Sequence, residues 1–178
     1  EVDLVLLLSH SFMPPKQQWN VLVWNIRGIN SDDKLLAIRN AIETCGCDVI
    51  CLQETKRMHF DLAFLKTFCP KRFDQFAYVP ARGASGGIIT IWNGSVFNGS
   101  ACYSENHALG VSLTSKASGN VWSLYNIYGP CQGNDRVLFT DWLYDLDIPD
   151  SDDWLLVGDF NFIRSSANRN KPVTQMTF

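Results

Sequence analysis

The stretch WLLVGDFN, residues Trp154–Asn161, constrains the fold of this chain more than any other part of the sequence. A short apolar run that polar residues bound predicts a buried strand. Gly158 allows the backbone to turn, or to pass close to a neighbour, where that strand ends. Because side chains alternate along an extended chain, Asp159 and Asn161 fall on one side if the extended geometry continues. We therefore expect a carboxylate and an amide together at a strand end.

Asp159 and Asn161 support two interpretations. As functional groups, the carboxylate orients water or holds a hard cation, and the amide donates to a phosphate oxygen. As structural groups, Asp and Asn favour turns because their side chains bond to their own backbone. The choice between the two depends on partners elsewhere in the chain.

Length and composition predict one globular domain that needs no disulfide bonds. The chain has 178 residues, of which 46% are hydrophobic, so it can bury most of its unfolded surface. The chain has six cysteines. We expect Cys47 and Cys51, at an apolar run, to be small core residues, and we expect the protein to occupy a reducing compartment. Residues 1–18 are expected to be a leader outside a domain at 19–171, and residues 172–178 an irregular tail. No segment has the length of a membrane span or the pattern of a signal peptide.

The net charge of −3 gives no overall case for nucleic-acid binding, but the charges are unevenly distributed. Residues 141–159 hold seven Asp and no Lys or Arg. Residues 56–82 are basic, and this stretch either follows a phosphate backbone or is a solvated helix and loop. Its cations are Lys56, Arg57, Lys66, Lys71, Arg72 and Arg82.

The order of apolar runs predicts an α/β fold with a parallel strand–helix–strand unit and an antiparallel meander. The glycine-rich turn at 82–87 lacks the Walker pattern and opens no helix, so it favours a loop that leads into a strand. The predicted strands are 19–25, 48–52, 73–79, 88–92, 96–103, 108–114, 121–128 and the run at 154–157, and the predicted helices begin at Ser31 and span 59–69 and 134–146.

Four predicted strands end in polar residues with useful chemistry. Ligand sites of layered α/β folds lie at such strand ends. One carboxylate with an amide nearby suits a single Mg²⁺, which keeps water and substrate phosphate as its other ligands. The strand-end residues are Asn25, Glu54, Tyr128, Asp159 and Asn161.

Five ordered motifs resemble the endonuclease/exonuclease/phosphatase superfamily: WNIRG (24–28), LQET (52–55), SGG (85–87), NIYGP (126–130) and GDFN (158–161). The likeness is strongest to the endonuclease domains of plant LINE-type non-LTR retrotransposons. It implies a DNase I-like four-layer α/β sandwich, with two mixed sheets face to face, helices outside and the last strands missing. It also implies Mg²⁺- or Mn²⁺-dependent phosphodiester cleavage of DNA.

The resemblance assigns a role to each strand-end residue. Glu54 is expected to be the principal metal ligand with Asn25 beside it, and Tyr128 to bond the scissile phosphate. Asp159 is expected to orient or deprotonate the attacking water, and Asn161 to steady that Asp and the phosphate. The expected nucleic-acid contacts are Arg27, Lys56, Arg57, Lys71, Arg72 and Arg82.

The family's last Asp and its final Ser-Asp-His have no counterpart in this chain, because His10, His59 and His107 do not match them. We therefore expect a truncated copy with impaired activity, since proton transfer by a positioned group contributes roughly 10²–10⁴-fold. The alternatives are an inactive remnant, or a phosphatase or phosphodiesterase of the same superfamily that acts on a small phosphorylated substrate. As a retrotransposon endonuclease, the chain would be a nuclear or cytoplasmic monomer, neither secreted nor membrane-bound, with DNA as partner and a reverse transcriptase downstream.

Overall fold

Eight strands and three helices make up the part of the chain that the computed structural model describes, which is residues 19–83, 86–131, 134–146 and 153–162. In chain order the elements are β1 (Val21–Asn25), α1 (Asp32–Cys45), β2 (Val49–Gln53), α2 (Leu62–Leu65), β3 (Phe73–Val79), β4 (Ile88–Asn93), β5 (Phe97–Glu105), β6 (Ala108–Ser115), β7 (Val121–Tyr128), α3 (Asp135–Tyr144) and β8 (Asp153–Asp159).

The strands form two mixed sheets of four strands each. The first has the order β1-β2-β4-β3, in which β1 and β2 are parallel and the other neighbours antiparallel. The second has the order β5-β6-β7-β8, in which β7 and β8 are parallel. The predicted parallel unit and the antiparallel meander are both confirmed. The carboxyl ends of β1 and β2 therefore share one edge, and those of β7 and β8 share another.

Three cores separate the layers and confirm the predicted four-layer sandwich. Between the sheets lie side chains such as Val23, Val49 and Leu124. The outer face of the first sheet packs against α1 and α2, and that of the second packs against Phe139 of α3. Because the first sheet is covered on both faces, β1 and β2 are fully buried, which explains their nearly continuous apolar sequences.

Helix α1 begins and ends where the sequence predicts. The Ser31 side chain accepts a hydrogen bond from the backbone N–H of Lys34 at 3.4 Å, which caps the first turn. Gly46 ends the helix in the left-handed conformation, with φ of 58°. Ile38 and Ile42, one turn apart, are buried against the first sheet.

The predicted helix at 59–69 is wrong in length, because α2 covers only Leu62–Leu65. After Leu65 two backbone hydrogen bonds span three residues, as in a tighter helical turn. The Thr67 N–H donates to the Phe64 carbonyl at 3.0 Å, and the Phe68 N–H donates to the Leu65 carbonyl at 3.1 Å. Pro70 then follows, which a helix does not tolerate. The apolar spacing at Phe60, Phe64 and Phe68 does not indicate a long helix. These side chains pack into the core on the outer face of the first sheet.

The structure also bears on the sequence predictions for the cysteines and for membrane-spanning segments. Cys47 and Cys51 are buried core residues, as predicted, and the cysteines within the described ranges are all free thiols. No helix in those ranges is both long and apolar enough to cross a bilayer. The predicted leader at 1–18, the tail at 172–178 and Ser85 of the SGG motif lie outside the described residues.

Candidate active site

A side-chain hydrogen bond joins the two sheets at the ends of β1 and β8. The Asn25 amide donates to Asp159 Oδ2 at 2.7 Å, across 134 residues of sequence. Asp159 Oδ1 accepts from the backbone N–H of Asn161 at 2.9 Å, and Asn25 Oδ1 accepts from that of Arg27 at 3.2 Å. Asp159 thus forms the turn that Asp favours, which confirms the structural interpretation, and its side chain also accepts a hydrogen bond from the other sheet. The functional interpretation stays a prediction.

Glu54 lies directly after β2 in a backbone that neighbouring loops hold in place. Its carbonyl accepts from the Gly28 N–H at 2.7 Å, and the N–H groups of Thr55 and Lys56 donate to the carbonyls of Gly87 and Gly86 at 3.0 and 2.9 Å. The Glu54 carboxylate lies 3.0 Å from the Lys56 ammonium. Its position is therefore fixed by backbone bonds, and its charge already attracts a cation.

Tyr128 ends β7 and faces Glu54. Burial raises the pKa of its phenol, and the carboxylates of Glu54 and Asp159 and the thiol of Cys131 raise it further. A hydrogen bond to the Glu54 carboxylate also favours the protonated phenol. Tyr128 is thus a neutral hydroxyl that donates its hydrogen to the Glu54 carboxylate. All five predicted catalytic residues lie at one end of the sandwich.

Unusual backbone geometry is concentrated at this end of the molecule. Within the described ranges, the non-glycine residues with positive φ are Arg27 at 52°, Glu54 at 54°, Lys56 at 53° and Asn161 at 53°. Such conformations cost free energy and persist where the surroundings impose them, commonly at functional sites. The extended geometry assumed for Asp159 and Asn161 does not continue, because Asn161 is in this left-handed region.

The Asn161 side chain bonds to the segment that follows β7. Its amide donates to the Gly129 carbonyl at 2.6 Å, and Arg136 of α3 donates to the Asn161 carbonyl at 3.2 Å. Gly129 N–H in turn donates to the Asp159 carbonyl at 2.8 Å. Asn161 steadies Asp159 through its backbone, while its side chain ties the ends of β7 and β8 together.

A buried pair of amides beneath the site was not identified from the sequence. Gln53, directly before Glu54, donates to the Asn126 side-chain oxygen at 2.6 Å. Asn126 donates in turn to the Ile89 carbonyl at 3.0 Å and to the Thr90 hydroxyl at 3.2 Å. Both amides are buried, and their bond links the strand that carries Glu54 to the strand that carries Tyr128. The available signal was a polar side chain within each of two buried strands.

Residues 22–176 match the family described as the Endonuclease/Exonuclease/phosphatase family. The chain belongs to this family. Its members are nucleases and phosphatases, hydrolases that act on phosphoester bonds and generally depend on divalent metal ions. None of the curated proteins compared with the chain matches it.

Solved structures with the same fold include nucleases and a phosphatase. The AP endonuclease LMAP from Leishmania major is 19% identical, with a TM-score of 0.61 over 85% of this chain and 59% of that one. The endonuclease domain of TRAS1, a telomere-specific non-LTR retrotransposon, is 13% identical, with a TM-score of 0.55 over 87% and 64%. The Bacteroides thetaiotaomicron mannosyl-6-phosphatase Bt3783 is 14% identical, with a TM-score of 0.54 over 79% and 64%. The chain spans about 60% of the length of each, and the likeness establishes the fold.

The structure does not bring the six basic residues proposed as nucleic-acid contacts together. Arg27, Lys56 and Arg82 lie at the end of the sandwich that holds Glu54. The Arg57 guanidinium lies over the Phe64 ring at 3.5 Å and donates to the His59 carbonyl at 2.8 Å.

The remaining two of the six, Lys71 and Arg72, lie at the opposite end. They precede β3, which runs towards the site, so the seven residues of Phe73–Val79 separate them from it by roughly 20 Å. The charge of Arg72 acts on Asp48, directly before β2. A ligand at Glu54 therefore meets only part of the basic stretch.

The donor set at this end fits one divalent metal ion of the kind the Endonuclease/Exonuclease/phosphatase family uses. Glu54 offers a carboxylate that already holds a cation, the Lys56 ammonium, and Asn25 offers an amide oxygen. No cluster of three or more His, Cys, Asp or Glu suited to a metal occurs in the described part of the chain. Mg²⁺ commonly takes one or two carboxylates and completes its shell with water and substrate phosphate, so this sparse set matches its demands.

Proposed function

We propose that this chain is an Mg²⁺-dependent phosphodiesterase of the endonuclease type that hydrolyses DNA. The observation that carries the proposal is the 2.7 Å bond between Asn25 and Asp159. It brings the acid of the GDFN motif to the edge where Glu54 and Tyr128 already face each other. Hydrolysis of a phosphodiester needs an activated water and charge stabilisation on the phosphate, and the residues at this edge supply groups for both.

Each residue performs a distinct step in this proposal. Asp159 accepts the proton of the attacking water, since each carboxylate oxygen keeps a lone pair beyond the bonds to Asn25 and Asn161. As the water oxygen bonds to phosphorus, the P–O ester bond to the leaving sugar oxygen breaks, and that oxygen takes its proton from solvent water. Tyr128 is protonated and donates its hydrogen to Glu54 in the free chain, and it would turn that hydrogen to a phosphate oxygen once the Glu54 carboxylate is occupied by a cation. Glu54 and Asn25 would hold the metal ion, which would supply positive charge to the phosphoryl oxygens.

Lys56 has a second role in this mechanism. In the structure its ammonium neutralises the Glu54 carboxylate at 3.0 Å. When Glu54 holds a cation instead, the Lys56 ammonium is released to a phosphate oxygen, in keeping with its predicted role as a nucleic-acid contact.

A phosphatase acting on a small phosphorylated sugar is the second candidate. It is supported by the fold shared with the mannosyl-6-phosphatase from Bacteroides thetaiotaomicron. DNA is favoured because Arg27 and Arg82 lie at the site end, and because a retrotransposon endonuclease and an AP endonuclease share the fold. The likeness to plant LINE-type elements, the downstream reverse transcriptase, the monomeric state and the nuclear or cytoplasmic location stay predictions.

Nicking of a supercoiled plasmid tests the proposal. We expect the full chain to convert the plasmid to the open-circular form in Mg²⁺ or Mn²⁺, and EDTA to stop the conversion. Release of phosphate from mannose 6-phosphate, without nicking, would favour the phosphatase instead. If a folded chain turns over neither substrate, the remaining hypothesis is that the chain is an inactive remnant.

Replacing the site-end arginines is expected to reduce the salt dependence of DNA binding. Each phosphate that a side chain no longer neutralises lowers the slope of log K against log salt by about 0.9. The slope for the double variant Arg27→Ala/Arg82→Ala should therefore be shallower by up to about 2, as measured by fluorescence anisotropy with a short duplex.

The matched control for this experiment is Lys71→Ala/Arg72→Ala, which removes the same charge from the opposite end. If the binding surface is confined to the site end, this control keeps the parental slope. If it follows the whole basic stretch, as the sequence alone suggests, both double variants lower the slope equally.

A further inference from the structure

A cavity of about 600 Å³ opens beside Tyr128, and Asp159 is not among the residues that line it. One wall comes from the connection between β3 and β4, including Pro80 and Gly87. The opposite wall comes from the turn between β5 and β6, with Asn106 and His107, and from Pro130 after β7. Tyr128 is the residue that the catalytic group and this cavity share, so a substrate whose phosphate meets its hydroxyl continues into the cavity.

We propose that this cavity binds the sugar ring that is ester-bonded to the scissile phosphate, and that His107 recognises a hydroxyl or ring oxygen of that sugar. This inference rests on the proposed function, because it assumes a phosphate at Tyr128. The two sources of such a ring are a nucleotide of DNA and a small phosphosugar.

The lining of the cavity suits a neutral ring beside a single phosphate contact. Among the described residues, Arg82 is the one Lys or Arg in this lining and is assigned above to a backbone phosphate of DNA, and the carboxylate of Asp135 disfavours a further anion. Pro80, Pro130 and Leu138 supply apolar surface. The walls therefore mix polar and apolar groups, and the volume lies in the usual range of small-molecule sites.

Gly87 keeps the first wall of the cavity in place. Its φ is 88°, and a Cβ atom there would overlap the Thr55 hydroxyl. Its carbonyl accepts from the Thr55 N–H at 3.0 Å, which ties the wall to the residue next to Glu54. The wall is therefore fixed relative to the catalytic residues, as a binding pocket requires.

The His107 ring is held in one orientation by two contacts. Its Nδ1 lies 3.3 Å from the Tyr128 carbonyl oxygen, and its ring packs edge-on against Phe139 of α3 at 5.6 Å. Because a carbonyl oxygen only accepts, Nδ1 carries the hydrogen of this bond. Nε2 is then the ring nitrogen left for a ligand, and in the neutral imidazole it accepts a hydrogen bond from a hydroxyl.

From the sequence, His107 has no such role, because a lone histidine before a strand is most simply structural. The register explains its placement. Ala108 pairs with Ile127, so His107 lies opposite Tyr128 at the site end of β6 and β7. The backbone N–H of Tyr128 also donates to the His107 carbonyl at 2.9 Å. His107 is thereby attached to the residue that meets the phosphate.

The test compares ligand affinities by NMR titration of the full chain, with and without Mg²⁺. The probes are inorganic phosphate, the methyl glycoside of 2-deoxyribose 5-phosphate, and methyl mannoside 6-phosphate, whose rings stay closed. We expect the parent chain to bind a sugar phosphate more tightly than inorganic phosphate. In His107→Phe, which keeps an aromatic ring beside Phe139, this preference should fall by about fivefold to tenfold, the value of one hydrogen bond.

The control is Glu105→Gln, an exposed residue that lines a neighbouring cavity of about 350 Å³ and does not line the proposed sugar cavity. It should retain the parental preference, and both variants should unfold at nearly the parental temperature. Preference for the deoxyribose ligand identifies DNA as the source, and preference for the mannoside identifies a phosphosugar. An unchanged preference in His107→Phe, or a parent that binds all three probes equally or not at all, overturns the inference.

The outcomes separate this inference from the proposed function. If the chain nicks plasmid and its preference for a sugar phosphate is the same in His107→Phe, the proposed function is supported and the sugar site is refuted. If the chain does not nick plasmid but binds the deoxyribose phosphate more weakly in His107→Phe, the sugar site is supported and the nuclease activity is refuted.

Discussion

Replacing Glu54 by Gln, or Asp159 by Asn, is expected to reduce phosphodiester cleavage by about 10²–10⁴-fold, because each change removes a charge that the reaction uses. Glu54→Gln removes the carboxylate that attracts the Lys56 ammonium and is proposed to hold the metal ion. Asp159→Asn removes the acceptor for the proton of the attacking water. Rates of plasmid nicking in Mg²⁺ provide the measurement.

Asp159→Asn also tests whether the fold tolerates the substitution. Its Oδ2 accepts from the Asn25 amide and its Oδ1 from the Asn161 N–H, so an Asn must keep both oxygen contacts with one oxygen. Displacement of Asn25 would then add to the fall in activity. Near-ultraviolet circular dichroism, which reports on the packing of all the aromatic side chains and to which Trp24 beside Asn25 contributes, shows whether the variant keeps the parental packing.

The control for both variants is Glu43→Gln, which removes an exposed carboxylate of α1 and should leave the nicking rate unchanged. Mg²⁺ should raise the unfolding temperature of the parent and of Asp159→Asn more than that of Glu54→Gln, because a ligand that binds the folded state more tightly stabilises it more. Nicking by Glu54→Gln at the parental rate would refute the role of Glu54, and equal Mg²⁺ stabilisation of all variants would refute the metal assignment.

The strand-end residues could be predicted because the rule that places them is local. Asn25, Glu54, Tyr128 and Asp159 each follow an apolar run, and parallel pairing of β1 with β2 and of β7 with β8 brings those ends to common edges. The sequence cannot measure the distance between the two edges. The bond between Asn25 and Asp159 depends on how one sheet packs on the other, which many weak contacts decide together.

The hydrogen-bond and ion-pair partners of individual side chains cannot be predicted from the sequence. Gln53 and Asn126 are separated by 73 residues, and nothing local shows that either one faces the other in the core. Lys56 was predicted as a DNA contact because it belongs to a basic stretch, whereas the structure pairs it with Glu54. Charge counted along a sequence ignores where the fold places each residue. Lys71 and Arg72 lie at the start of β3, at the end of the sandwich opposite the site.

Replacing Gly158 by Ala is expected to destabilise the fold by about 3–5 kcal/mol, the largest stability effect that we predict for a single methyl group. Gly158 has φ of 128°, a conformation that L residues rarely adopt. A Cβ atom there would collide with the backbone carbonyl of Ile127, its partner on the parallel strand β7. Backbone cannot rotate aside as a flexible side chain can, so β8 must shift away from β7. Urea denaturation measures the change in the free energy of unfolding.

Gly46→Ala is the matched control, because it also places a methyl group at positive φ, here 58°, but its Cβ meets no atom within 4 Å. It should cost only about 1 kcal/mol, the strain of the backbone alone. The difference between the two variants therefore measures the collision with Ile127 together with the greater strain of φ at 128°, which lies outside the left-handed region open to L residues. Since Asp159 follows Gly158 directly, a shift of β8 also breaks the 2.7 Å bond to Asn25, and we expect nicking to fall in Gly158→Ala even where the fold survives. Equal destabilisation by both substitutions would mean that β8 does not pass this close to β7, and the placement of Asp159 would fall with it.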